Sequence, residues 1–203
     1  LKIVFTGQAY SMLYPCSCPL EPDGGVARRA TFIKNIRLSC DSVLVAETGF
    51  SFASGRDDIY AQNFDMDSRR TDIYLKSLKA MGYDAILVSG QEYVFGADFL
   101  NRYKEMPFIS SNLKDFSTPD IIKDFGWIKV GILGLTDELA VSKGAKGRET
   151  PQNILDKKVA ELKKRGAQII ILLSALKPQE DQELLKNIKG IDVVINGSPF
   201  LGS

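Results

Sequence analysis

The chain has no histidine in 203 residues. Histidine is the commonest general base near neutral pH and a frequent ligand for zinc, iron and manganese. Its absence excludes Ser-His-Asp and Cys-His catalysis, together with every histidine-containing metal site. Cysteine is scarce. Cys16, Cys18 and Cys40 are too few for a disulfide scaffold and odd in number. Long hydrophobic runs are missing too. The longest candidate, residues 169–176 (IIILLSAL), falls well short of the ~20 apolar residues that span a bilayer and reads as a buried strand. Neither charge sign dominates: 26 basic and 25 acidic residues leave a net charge of +1, which calls for no nucleic-acid or anionic-membrane partner.

The remainder is an ordinary globular mix, 44% hydrophobic and 25% charged, which suits one core and one domain over residues 1–203. The first residue is Leu1. Removal of a secretory signal would account for that start and predicts a periplasmic or extracellular location.

Strand-like and helix-like stretches alternate. Residues 2–6 (KIVFT) read as a strand, and Asp23 is placed to cap the helix that follows. Residues 43–46 are a second strand. Residues 48–68 are rich in Gly, Ser, Asp and Asn and read as a loop. A helix is expected over 71–81, stopped by Gly82. Strands follow at 85–89, 107–111 and 128–135. A helix opened by Pro151 runs to 166. A strand at 168–173, a helix at 178–188 and a strand at 191–195 complete the series. Such alternation predicts parallel pairing with helices packed on sheet faces. Sites in such folds gather at the carboxyl ends of the strands. Five loops lie there: TGQAYS, ETGFS, SGQEYVFG, SALKPQE and NGSPF.

Taken in order, these loops resemble the signature of the calcineurin-like metallophosphatases, in the bacterial 5′-nucleotidase/UDP-sugar hydrolase branch. The supporting text matches as well: DGGVARRATFIKNIR, LKAMGYDAILVSGQEYVFG, PFISSNL, IKVGILGLTDE and IDVVINGSP occur in the family's order. The PCSC tetrapeptide is similar to a Pro-Cys-x-Cys sub-branch. The resemblance implies an αββα sandwich with mixed sheets, left short of its final strands by a chain that ends at Ser203.

It also implies a site of two metal ions ~3.5–4 Å apart that clamp a phosphate and activate water. The family's ligands are Asp, His and Asn. Here those positions carry Gln8 and Tyr10 in the first loop, Gly49 in the second, Gly90 and Gln91 in the third, Ala175 in the fourth, and Ser198 and Phe200 in the last. Amide oxygens are weak neutral donors and do not replace carboxylate or imidazole. These positions predict no metal, no cofactor and no metallophosphatase activity.

Other residues remain as candidates. Cys16, Cys18 and Cys40 read either as a redox pair, soft-metal ligands or a persulfide site, or as a clasp on the loop. A Cys-x-Cys pair does not easily bridge itself. Glu47 and Glu92 end predicted strands beside the old site and form a residual polar pair. Asp57, Asp58, Asp65 and Asp67 read as a hard-cation site or, more simply, as a solvated loop. Arg28 and Arg29 open the first helix, where an anion could sit, although packing and surface charge explain them more simply. Tyr10, Phe50, Tyr93, Phe95 and Phe200 surround the vacated positions and either stack a base or fill space.

The leading expectation is therefore a catalytically inactive metallophosphatase-like protein. It would serve as a binding or structural subunit of a secreted or periplasmic assembly, with protein partners and no membrane span. One alternative is an enzyme rebuilt on Cys16 and Cys18 for thiol or sulfur redox chemistry. Another is a nucleotide or sugar-phosphate binding module.

Overall fold

The computed structural model describes residues 1–17, 20, 23–54, 58, 60–114, 116 and 118–199. Cys18, Asp57 and Phe200 lie outside the described residues.

Two four-stranded sheets stack face to face. The first has the order β1 (Lys2–Thr6), β2 (Val43–Glu47), β3 (Ala85–Leu87), β4 (Phe108–Ile109), and every pair in it is parallel. The second has the order β5 (Asp120–Asp124), β6 (Lys129–Leu135), β7 (Ile169–Ser174), β8 (Val193–Asn196). The mixed pairing belongs to this second sheet, where β5 runs antiparallel to β6 and the other two pairs are parallel.

The strands are apolar because both faces are covered. In β2 every residue is buried. Leu44 and Ala46 join Leu87, Ile109, Ile132, Ile171 and Leu173 between the sheets. Val43 and Val45 point the other way, under α1 (Val26–Ser39) and α2 (Phe64–Met81). On the far side, Leu133, Ile170 and Leu172 pack against Leu155 and Leu162 of α5 (Pro151–Lys164) and Leu184 of α6 (Pro178–Leu185). The layers are thus helix, sheet, sheet, helix. Each fully buried Leu or Ile contributes about 1.5–3 kcal/mol. At Gly134 the sheets approach so closely that a Cβ would lie 2.9 Å from Leu87.

Some boundaries differ from the sequence expectation. The second helix begins at Phe64 rather than 71. Asn63 caps it by accepting from the Met66 N–H at 3.0 Å, and its first turns expose Phe64 and Met66, so the apolar stripe is invisible there. The first helix is capped by Gly25 with no side-chain bond, so Asp23 does not hold it. The sequence pattern places no strand at β5. It is a half-buried edge strand with an acid at each end, a pattern that guards an edge against stray pairing. The third loop is a 3-10 turn, Gly90–Tyr93, followed by α3 (Ala97–Asn101), and α4 (Leu139–Ser142) follows β6.

Candidate functional site

The parallel strands deliver the loops after β1, β2, β3, β7 and β8 to one end of the sandwich, as the sequence pattern required. At that end the loops pack directly on one another. Gly197 lies so close to Thr48 that a Cβ on it would be 2.1 Å from the Thr48 carbonyl oxygen. A Cβ on Gly7 would be 2.2 Å from the Thr48 Oγ1. Gln8 donates from Nε2 to the Ser198 carbonyl at 3.1 Å. The backbone there takes left-handed torsions at Gln8 (φ 52°), Tyr10 (φ 41°), Ser11 (φ 52°) and Phe50 (φ 55°), a conformation that costs L-residues roughly 1–2 kcal/mol each. The turn is stitched by the N–H groups of Gln8, Tyr10 and Ser11, which donate to the carbonyls of Gly49, Phe50 and Ser51.

The other positions are absorbed into packing. Gly49, Gly90, Gln91, Ala175 and Ser198 are buried. Gln91 donates from Nε2 to the carbonyls of Phe52 at 3.2 Å and Ser54 at 2.5 Å. A Cβ on Gly90 would lie 2.4 Å from Leu139. Ala175 belongs to the core between the sheets.

Glu47 and Glu92 are both fully buried, and they do not share a site. Glu47 follows the alternation of Val43 and Val45 and points beneath the helices. Its Oε2 accepts from Thr6 Oγ1 at 2.6 Å and from the Tyr74 hydroxyl at 2.9 Å, and it lies 3.5 Å from Arg29. Its Oε1 has no hydrogen-bond partner among the described residues. Burial raises the Glu47 pKa, against the pull of Arg29, Thr6 and Tyr74. Arg29 is therefore a core cation neutralising Glu47, while Arg28 is exposed.

Glu92 closes the 3-10 turn on itself and on the neighbouring loop. One oxygen accepts from the Ser51 N–H and Oγ at 2.7 and 2.9 Å. The other accepts from the Ser89 N–H and Oγ at 2.7 and 2.5 Å. Burial raises its pKa, and these four donors hold the rise back.

The acidic loop is an arginine clamp. Asp58 and Asp67 both pair with the half-buried Arg70, while Asp65 is exposed and pairs with Arg69. The aromatics do not ring an open cleft. Tyr93 and Phe95 sit in the helix-side core, where Phe95 stacks on Phe52, and Phe50 sits between the sheets. Cys16 lies beyond the end of β1, where its sulfur accepts from the Asp23 N–H at 3.0 Å. Cys40 follows α1 and precedes β2, bonding to the Ser42 carbonyl at 3.5 Å. Cys16 precedes α1 and Cys40 follows it, and no disulfide joins them.

Sequence reasoning missed Asp137. It is buried at the end of β6 and accepts from the Gly90 N–H at 3.0 Å and the Leu139 N–H at 2.8 Å. Burial raises its pKa, opposed by those two donors. Its place just past a strand's carboxyl end was the available signal.

No family model matches the chain. Among curated proteins, it is 29% identical over 200 residues to the snake venom 5′-nucleotidase of Gloydius brevicauda, an alignment covering 86% of this chain and 31% of that protein. It is also 29% identical over 221 residues to the trifunctional nucleotide phosphoesterase protein YfkN of Bacillus subtilis, covering 84% and 14%. Among solved structures, the 5′-nucleotidase precursor of Thermus thermophilus superposes with a TM-score of 0.84 at 24% identity, covering 100% of this chain and 43% of that one. The chain is thus similar in sequence to 5′-nucleotidases and nucleotide phosphoesterases, and it shares its fold with the N-terminal part of a 5′-nucleotidase and with the calcineurin-like phosphoesterase YfkN. It spans about a third of the length of the venom relatives it matches.

These relatives correct one expectation. The sequence pattern predicts a non-enzyme, yet the chain's curated relatives are nucleotidases and nucleotide phosphoesterases, which are enzymes. The metallophosphatase metal pair can still be tested against this site. The positions offer two amides, a phenol, a hydroxyl, two glycines and an alanine among the described residues, and both amides are donating to carbonyls. Gly90 has no room for a larger side chain. No group of three His, Cys, Asp or Glu side chains converges among the described residues. The residues present do not fit a dinuclear centre.

Proposed function

We propose that residues 1–203 form one domain of a secreted or periplasmic protein of the 5′-nucleotidase kind, and that this domain serves as a binding and structural unit in a larger assembly. One observation carries the reading: the strand-end positions are given over to packing. Backbone meets backbone at Gly197 and Thr48, and Glu92 ties two loops together with four hydrogen bonds. A surface built this way holds a fixed shape for a partner. The location rests on kinship with venom 5′-nucleotidases. No helix among the described residues is long and apolar enough to cross a membrane.

The test is native mass spectrometry and elemental analysis of protein purified from its source. The expected result is a stoichiometric protein partner without a pair of transition-metal ions. Two Mn, Fe or Zn ions per chain, or a chain that always purifies alone, would overturn the reading.

A further inference from the structure

Helices α1 and α2 lie side by side on the outer face of the first sheet, and a groove runs between them. Its volume is about 600 Å³, and its walls are Val26, Ala30, Ile33 and Leu38 from α1 with Ala80 and Met81 from α2. Small side chains give the groove its depth. One large apolar wall residue is open to solvent: Leu38 is 78% exposed. The charged lining is cationic: Lys34 and Arg37 contribute beside Ser77, and no acidic residue does among the described residues. Arg37 donates to the carbonyls of Met81 and Gly82, so its charge is fixed at one end of the groove before anything binds.

We propose that this groove docks an amphipathic helix of a partner protein, with an apolar ridge at i, i+3, i+4 and i+7 spacing and flanking Asp and Glu side chains. Helix-in-groove recognition buries such a ridge in an apolar trough, and complementary charge at the rim sets orientation and partner choice. Charge complementarity selects the occupant. A second copy of this chain paired about a two-fold axis would set Lys34 and Arg37 against the same two cations. An anionic membrane would match the charge, but a bilayer takes up a protruding apolar face, and this one is concave. The proposal names the partner-facing surface of the binding role above and rests on that role.

The test uses the full chain and two synthetic 18-residue helices sharing one leucine ridge, the first flanked by Glu and the second by Lys. Fluorescence polarisation should show the Glu-flanked helix binding at least tenfold more tightly, with affinity falling as salt is raised. Lys34→Glu sets one negative charge against the positive charge of Arg37 and should abolish the preference. Ala80→Trp, at an exposed position, should fill the groove and abolish binding without moving the thermal melt. Equal binding of both helices, binding of neither, unchanged binding by Ala80→Trp, or binding to phosphatidylserine vesicles in place of the peptide would overturn the proposal. A partner that co-purifies while neither helix binds removes the groove and leaves the broader role standing. A chain that purifies alone removes the role itself, and with it the groove's partner.

Discussion

Replacing Glu92 by alanine tests whether the strand-end surface is held by this one carboxylate. The side chain is fully buried and accepts four hydrogen bonds, two from backbone N–H groups and two from serine hydroxyls. The hydroxyls can turn to other acceptors, whereas the Ser51 and Ser89 N–H groups cannot. Each buried donor left unpaired costs about 1–3 kcal/mol, so Glu92→Ala should lose about 2–6 kcal/mol. At about 2–4 °C per kcal/mol for a chain of this size, the midpoint of that range is a fall in Tm of roughly 8–16 °C. Glu92→Gln separates charge from geometry. Its oxygen can serve one serine, while its amide nitrogen meets the other serine's N–H donor, so about half the loss should remain. Urea titration followed by far-UV circular dichroism measures both. A Glu92→Ala variant within about 1 kcal/mol of the parent, or a glutamine variant as damaging as alanine, would refute the reasoning.

Two further predictions concern packing and pH. Gly197→Ala places a Cβ about 2.1 Å from the Thr48 carbonyl, so the loops must separate; an overpacking cost of about 1–3 kcal/mol should appear in the same urea titration, and an unchanged midpoint would contradict the close approach. Burial raises the pKa values of Glu47, Glu92 and Asp137, so the folded state binds these protons more tightly than the unfolded chain. That stabilisation is complete below about pH 4, where the unfolded carboxyls are protonated, and is lost as pH rises through the folded values. Thermal melts should therefore show Tm falling from mildly acidic toward neutral pH, with a shallower fall in Glu47→Gln. A Tm that climbs over this window would reverse the sign.

Much of the fold was legible because local signals agreed. The continuous apolar runs of β2 and β7 read as doubly covered strands, and Pro151 and Pro178 marked helix starts that the structure keeps. β5 was hidden because five residues with polar ends carry too little periodicity. The site was legible in position but not in orientation. Strand alternation puts Glu47 on the same face as Val43 and Val45, yet nothing in the sequence says whether that face meets helices or the second sheet. The aromatics show the same limit: Phe50 and Phe95 enter different layers, and both layers are apolar.

The contact that binds Gln8 to Ser198 joins residues 190 positions apart. Folding rates fall as native contacts span longer stretches of chain. The loop after β1 is made long before β8, but it cannot reach its final shape until β8 has left the ribosome. Until then β1 and β2 can pair, yet Gly7 and Thr48 face solvent in place of Gly197. The strand-end surface is thus a late product of folding, and it reports whether the whole sandwich has assembled.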